Sequence, residues 1–218
     1  MHRTAALTWV KQGYTDGTRR LASRWIGRLS RTRVTPNTLT ASGILLCAAG
    51  AVLVFFENRN EFLFYWLGGV LFVVGSVLDI LDGALARQSG KATPFGAFVD
   101  SLADRVSEGF MLAAIALVFA RSGNDVALAG CFAAVAGSFL VSYARAKAEI
   151  LGLRGDVGIG SRAERVVVIS VGLAFAPWGA LQWAIYLLTA TAWLTVFQRV
   201  WHVRTQLRSG GTNGLEER

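Results

Sequence analysis

Apolar positions gather into six stretches, at about residues 37–56, 62–86, 95–120, 126–148, 163–177 and 179–200, separated by short polar connections. All but the fifth approach the roughly 20 residues that an α-helix needs to cross the hydrocarbon of a bilayer. Ahead of them, residues 17–33 place Arg20, Arg24, Arg28 and Arg31 on one helical face and Leu21, Trp25, Ile26 and Leu29 on another. That pattern predicts a helix lying on the inner leaflet, its arginines drawn to anionic lipid. A basic topology signal without fixed structure would read the same way. Thr35-Pro36-Asn37 then breaks the chain before the first stretch, with Pro36 suited to a helix start. The expected fold is all-α and membrane-integral: six transmembrane helices plus an N-terminal amphipathic interfacial helix, one domain over residues 1–206. The glycine-rich residues 207–218 read as a flexible cytoplasmic tail.

Composition supports the membrane reading. Hydrophobic residues make up 53% of the chain and charged residues only 17%, against about 25% in soluble domains. The net charge of +8 could suggest nucleic acid, so its distribution matters. Nineteen lysines and arginines fall in the N-terminal tail, the second-to-third and fourth-to-fifth connections and the C-terminal end; only Arg59 and Arg121 fall on the opposite side. This positive-inside asymmetry places both termini in the cytoplasm, accounts for the basicity by topology, and removes the case for a nucleic-acid partner. Cys47 and Cys131 lie in apolar stretches, which argues against a disulfide or zinc framework. With only His2 and His202 in the chain, chemistry built on a histidine base is not expected.

Four carboxylates interrupt the second and third apolar stretches: Asp79, Asp82, Asp100 and Asp104. Spacings of i,i+3 and i,i+4 put each pair on one helix face. If the two stretches are antiparallel helices joined by the loop 88–94, the pairs sit at matching depths, roughly 7 and 13 Å from the cytoplasmic ends. Gly75, Gly83 and Ala86 share the first face and Gly96 the second, leaving room for a bulky substrate. Charged groups at membrane depth are costly and need a strong partner. Hard oxygen donors without His or Cys point to Mg²⁺ or Mn²⁺, and four carboxylates can hold two ions against a diphosphate. Pairing with arginines for helix packing fits less well, because only Arg87 and Arg105 are near in sequence. A carboxylate-lined proton or cation pathway remains an alternative of a different class.

The residues D79-x2-D82-G83-x2-A86-R87-x8-G96-x3-D100-x3-D104 closely resemble the signature of the CDP-alcohol phosphotransferases. The resemblance implies transfer of a substituted phosphate from a CDP-linked donor to an alcohol, with release of CMP, by a homodimer. It implies Asp79, Asp82, Asp100 and Asp104 as metal ligands and Asp104 as the general base. It places Gly83, Ala86, Arg87, Thr93 and Gly96 around the cytidine diphosphate of the donor. Thr35, Pro36, Asn37 and Thr38 resemble the start of the family's T-P-N-x-L-T segment, which would close over the nucleotide; alone they would read as a helix cap.

A second cationic group lies on the same side: Arg145, Lys147, Arg154, Arg162, Arg165 and Arg199. Arginine forks bind phosphate in two-point fashion, which argues for a phosphorylated acceptor, although each residue alone could be an ordinary positive-inside charge. As a set, with the Q-R-x-x-x-x-R run from Gln198, they resemble the phosphatidylinositol phosphate synthases of actinobacteria. That likeness implies CDP-diacylglycerol as donor, inositol 1-phosphate as acceptor, and a bacterial plasma-membrane enzyme with a cytoplasmic active site. It assigns the acceptor phosphate to Ser142, Arg145, Arg162 and Arg199. Glycerol 3-phosphate, another phosphorylated alcohol, is the alternative acceptor.

Overall fold

The computed structural model describes residues 35–88, 90 and 92–213. The expected interfacial helix at 17–33 lies outside them. Numbered from the first described helix, the elements are α1 (Pro36–Phe55), α2 (Glu61–Gln88), α3 (Pro94–Ser122), α4 (Asp125–Ile150), α5 (Arg162–Ala174) and α6 (Ala180–Asn213), with single 3₁₀ turns at Glu57–Arg59 and Ala176–Trp178. Four helical segments are long and apolar enough to cross a membrane: 37–55, 61–87, 125–150 and 180–208. Their outward faces carry exposed Leu45, Val70, Ile80, Phe132, Trp183 and Leu187, a surface suited to lipid rather than water.

The other two expected spans differ from the sequence reading. α3 has 29 residues, enough length to cross, but Asp100, Asp104, Arg105 and Glu108 interrupt its apolar character. α5 has only 13 residues, so it extends roughly 20 Å, short of the hydrocarbon thickness. Pro177, which cannot continue a helix, lies in the 3₁₀ turn just beyond α5. At the other end, the loop 151–161 leads into α5. Gln206 of α6 pins that loop by bonding both the N–H (3.0 Å) and the carbonyl (2.8 Å) of Arg154. Gly158 has φ +117°, and a Cβ there would stand 2.4 Å from Thr195 Cγ2, so the turn requires glycine. α6 itself runs on to Asn213, into the stretch whose composition reads as a tail from 207.

α1 and α2 form the most extensive helix pair; α4 packs on α6, α1 on α3, and α5 joins α6 and α2. The α1–α2 seam is a backbone contact. A Cβ on Gly43 would lie 2.9 Å from the Gly75 carbonyl oxygen, and one on Gly75 would lie 2.7 Å from that of Gly43. Gly75 therefore serves helix approach rather than substrate room. The main core, with Val54, Phe72, Met111, Ile115, Ile169, Leu173, Ile185 and Leu188 fully buried, joins all six helices. The carboxylates of α2 and α3 lie at the end of the bundle where the α2–α3 connection closes.

Candidate active site

α2 carries Asp79 and Asp82 near its C-terminal end, and α3 carries Asp100 near its start. One oxygen from each of these three carboxylates lies within 4.8 Å of the others. Asp79 and Asp82 are buried and Asp100 is half-buried. Asp82 Oδ2 accepts a hydrogen bond from the Thr40 hydroxyl of α1, while its buried Oδ1 has no hydrogen-bond partner. A buried acceptor without a donor carries a desolvation cost that a bound cation would offset. Three hard oxygens within 4.8 Å of one another fit a divalent ion such as Mg²⁺ or Mn²⁺.

Asp104 stands outside this triangle. Its Oδ1 is ion-paired with Nη1 of Arg162, and the same nitrogen bonds Asp79 Oδ2. The cation that meets the acids therefore comes from α5, and the expectation that only Arg87 and Arg105 could reach them is corrected. Arg105 lies 3.9 Å from Asp104 and donates to the Ser101 carbonyl; Arg87 points into a neighbouring cavity.

That cavity, of about 460 Å³, opens beside Asp82 and Asp100. It is lined by Thr35, Asn37 and Thr40 from α1 and its cap, Gly83, Ala86 and Arg87 from α2, and Ala92, Thr93, Gly96 and Ala97 from the start of α3. Two helix N-termini meet here. Thr35 caps α1 and Thr93 caps α3, the latter accepting from the Gly96 N–H at 3.0 Å. Their positive dipole ends favour an anion, and Arg87 adds a full charge. Added Cβ atoms on Gly83 and Gly96 would meet only Arg87 Nη1 (3.5 Å) and Thr93 Oγ1 (3.1 Å), so these glycines do keep space open. The Thr38 hydroxyl donates to the Thr35 carbonyl, 2.7 Å away. A second cavity, about 260 Å³, shares Asn37, Thr40, Thr93 and Gly96 and continues past Ala41, Ile44, Phe95 and Val99. The polar chamber thus leads into an apolar cleft between α1 and α3.

Each residue expected at the acceptor phosphate has a partner within the protein. Arg162 sits on the carboxylates. Arg199 is buried and donates through Nε to the Val157 carbonyl (3.0 Å) and through Nη1 to that of Val141. Arg145 is exposed and pairs with Glu149 at 2.8 Å, and the Ser142 hydroxyl donates to the Ser138 carbonyl. Arg165 is buried in a two-point pair with Glu108, at 2.8 and 2.9 Å. Thr40 was absent from the expected site, although it is the final threonine of the T-P-N-x-L-T segment.

A carboxylate triangle beside a cationic, dipole-lined chamber, set in a helical membrane bundle, defines a metal-dependent transferase acting on a phosphorylated donor. The chain belongs to the CDP-alcohol phosphatidyltransferase family, whose sequence pattern matches residues 33–201. It is 36% identical over 178 residues to the archaetidylinositol phosphate synthase of Pyrococcus horikoshii, covering 81% of this chain and 87% of that protein. It is 34% identical over 183 residues to the phosphatidylinositol phosphate synthase of Mycolicibacterium smegmatis, covering 80% of each. The fold matches crystal structures of the Mycobacterium tuberculosis phosphatidylinositol phosphate synthase at 28% identity. The form with CDP-DAG bound gives a TM-score of 0.74 over 84% of this chain and 94% of that one. The form with manganese and citrate gives 0.75 over 84% and 89%.

Proposed function

We propose that the chain transfers the phosphatidyl group of CDP-diacylglycerol to inositol 1-phosphate, forming phosphatidylinositol phosphate and releasing CMP. The observation that carries this reading is the carboxylate triangle opening onto a chamber that suits a cytidine diphosphate, continued by an apolar cleft that suits acyl chains. The relatives' activities favour the inositol phosphate acceptor.

In this mechanism Thr35, Asn37, Gly83, Ala86, Arg87, Thr93 and Gly96 hold the nucleotide and diphosphate, with Pro36 fixing the start of α1. Asp79, Asp82 and Asp100 would hold Mg²⁺ or Mn²⁺, and Asp104 would complete the shell of a second ion. Such ions, when bound, neutralise the diphosphate and the developing charge on the leaving CMP. Asp104 accepts the proton of the acceptor hydroxyl. The acceptor oxygen bonds to the lipid-side phosphorus as the bond to CMP breaks. Ser142, Arg145, Arg162 and Arg199 meet the acceptor phosphate, Arg199 while also bonding the 141 and 157 carbonyls. The chain works as a homodimer with six membrane crossings per protomer, the fifth made by α5 together with the 3₁₀ turn Ala176–Trp178 that follows it, in a bacterial plasma membrane, its termini and active site facing the cytoplasm; its catalytic domain extends to residue 206.

The test is CMP release by the purified chain with CDP-diacylglycerol and Mg²⁺, comparing inositol 1-phosphate, glycerol 3-phosphate and free inositol. Release with inositol 1-phosphate alone supports the reading. Release with glycerol 3-phosphate alone keeps the donor chemistry and overturns the acceptor.

A further inference from the structure

Arg162 occupies an edge of the carboxylate cluster that the proposed chemistry needs for something else. Its Nη1 bridges Asp79 Oδ2 and Asp104 Oδ1, two groups assigned above to metal. The Asp79–Asp82–Asp100 triangle closes within 4.8 Å without Asp104. One ion can therefore sit in the triangle beside Arg162, whereas a second ion at the Asp79–Asp104 edge meets the guanidinium directly. Two like charges on one pair of oxygens repel at close range.

We propose that Arg162 and a second divalent ion compete for the Asp79–Asp104 edge, and that Arg162, once displaced, is freed to hold the acceptor phosphate. This rests on the metal and acceptor reading given above. The surrounding helix determines what can move. The first turn of α5 is fixed by a capping box in which the Ser161 N–H donates to Glu164 Oε2 (2.7 Å) and the Glu164 N–H to Ser161 Oγ (3.4 Å). One turn on, Arg165 is buried against Glu108 and also donates to the Gly160 carbonyl at 2.8 Å. The backbone at Arg162 is thus held from both sides, and the exchange falls to its side chain, whose flexible stem can swing. The arrangement couples ion loading to acceptor binding, and the coupling is reciprocal.

The experiment is Mn²⁺ titration of the purified full chain, reading free Mn²⁺ by electron paramagnetic resonance without lipid donor. Wild type is compared with Arg162→Gln and Arg162→Lys. The weaker Mn²⁺ site tightens about tenfold in Arg162→Gln and less in Arg162→Lys, while the tighter site is unchanged. Radiolabelled inositol 1-phosphate binds wild type about tenfold more tightly at saturating Mn²⁺, and Arg162→Gln loses that dependence. An unchanged or weakened second site in Arg162→Gln, or acceptor affinity independent of Mn²⁺ in wild type, overturns the proposal. Two unaltered Mn²⁺ affinities leave the metal reading standing; a wild-type chain that binds no Mn²⁺ overturns that reading and this inference together.

Discussion

The Thr40 hydroxyl donates to one oxygen of Asp82, while the other, Oδ1, is buried without a hydrogen-bond partner. A donor behind a metal-binding carboxylate fixes its rotamer, and losing such a partner costs about 10- to 100-fold in metal affinity. Thr40→Val therefore lowers Mn²⁺ affinity by that factor, measured by free-ion titration, without unfolding the chain. Asp104→Asn separates a base from a ligand: CMP release falls about a hundredfold or more while the tighter Mn²⁺ site persists, since its triangle does not include Asp104. The aspartates were legible in the sequence because each pair is local, three or four residues apart on one helix face. Arg162 was legible only as a cation expected at the acceptor phosphate. Its pairing with Asp79 spans 83 residues and depends on how α5 meets α2, which no local spacing encodes.

The helices repeat this contrast. Lengths and periodicity revealed α1, α2, α4 and α6 as membrane-crossing elements, because an uninterrupted apolar run needs no partner to be recognised. α5 was read too long at its C-terminal end, where Pro177 closes the helix early. Two helix contacts invite direct tests. Gly75→Val forces a side chain against the α1 backbone and Cys47 Sγ, with the nearest atom 2.6 Å from its Cβ. It lowers the thermal midpoint in detergent and displaces Asp79, so Mn²⁺ affinity falls with it. Glu108→Leu strands buried Arg165 and costs about 3–5 kcal/mol, whereas Glu108→Leu with Arg165→Met recovers most of that loss. If the double variant melts as low as the single, the loss comes from the missing pair itself and not from a stranded charge.

For the whole molecule, the charge asymmetry read from the sequence fits a bundle whose carboxylates, helix N-termini and basic loop gather at one end. Arg121, at the opposite end, is tied to Glu57 at 2.5 Å and stacks over Phe55. A cysteine placed at position 59 is expected to react with an impermeant thiol reagent from the outside of intact cells, and one at 204 only after the membrane is opened; Cys47 and Cys131 are buried and stay silent. Labelling of both positions from one side would reject the proposed orientation. The joining of the polar chamber to the cleft of Ala41, Ile44, Phe95 and Val99 has a kinetic consequence. One reactant arrives from a two-dimensional film and the other from bulk water, so their concentrations are counted on different scales. Diluting the bilayer with inert lipid, at fixed total donor, slows turnover as the mole fraction falls, whereas enlarging the aqueous volume at fixed acceptor molarity leaves the rate per protein unchanged.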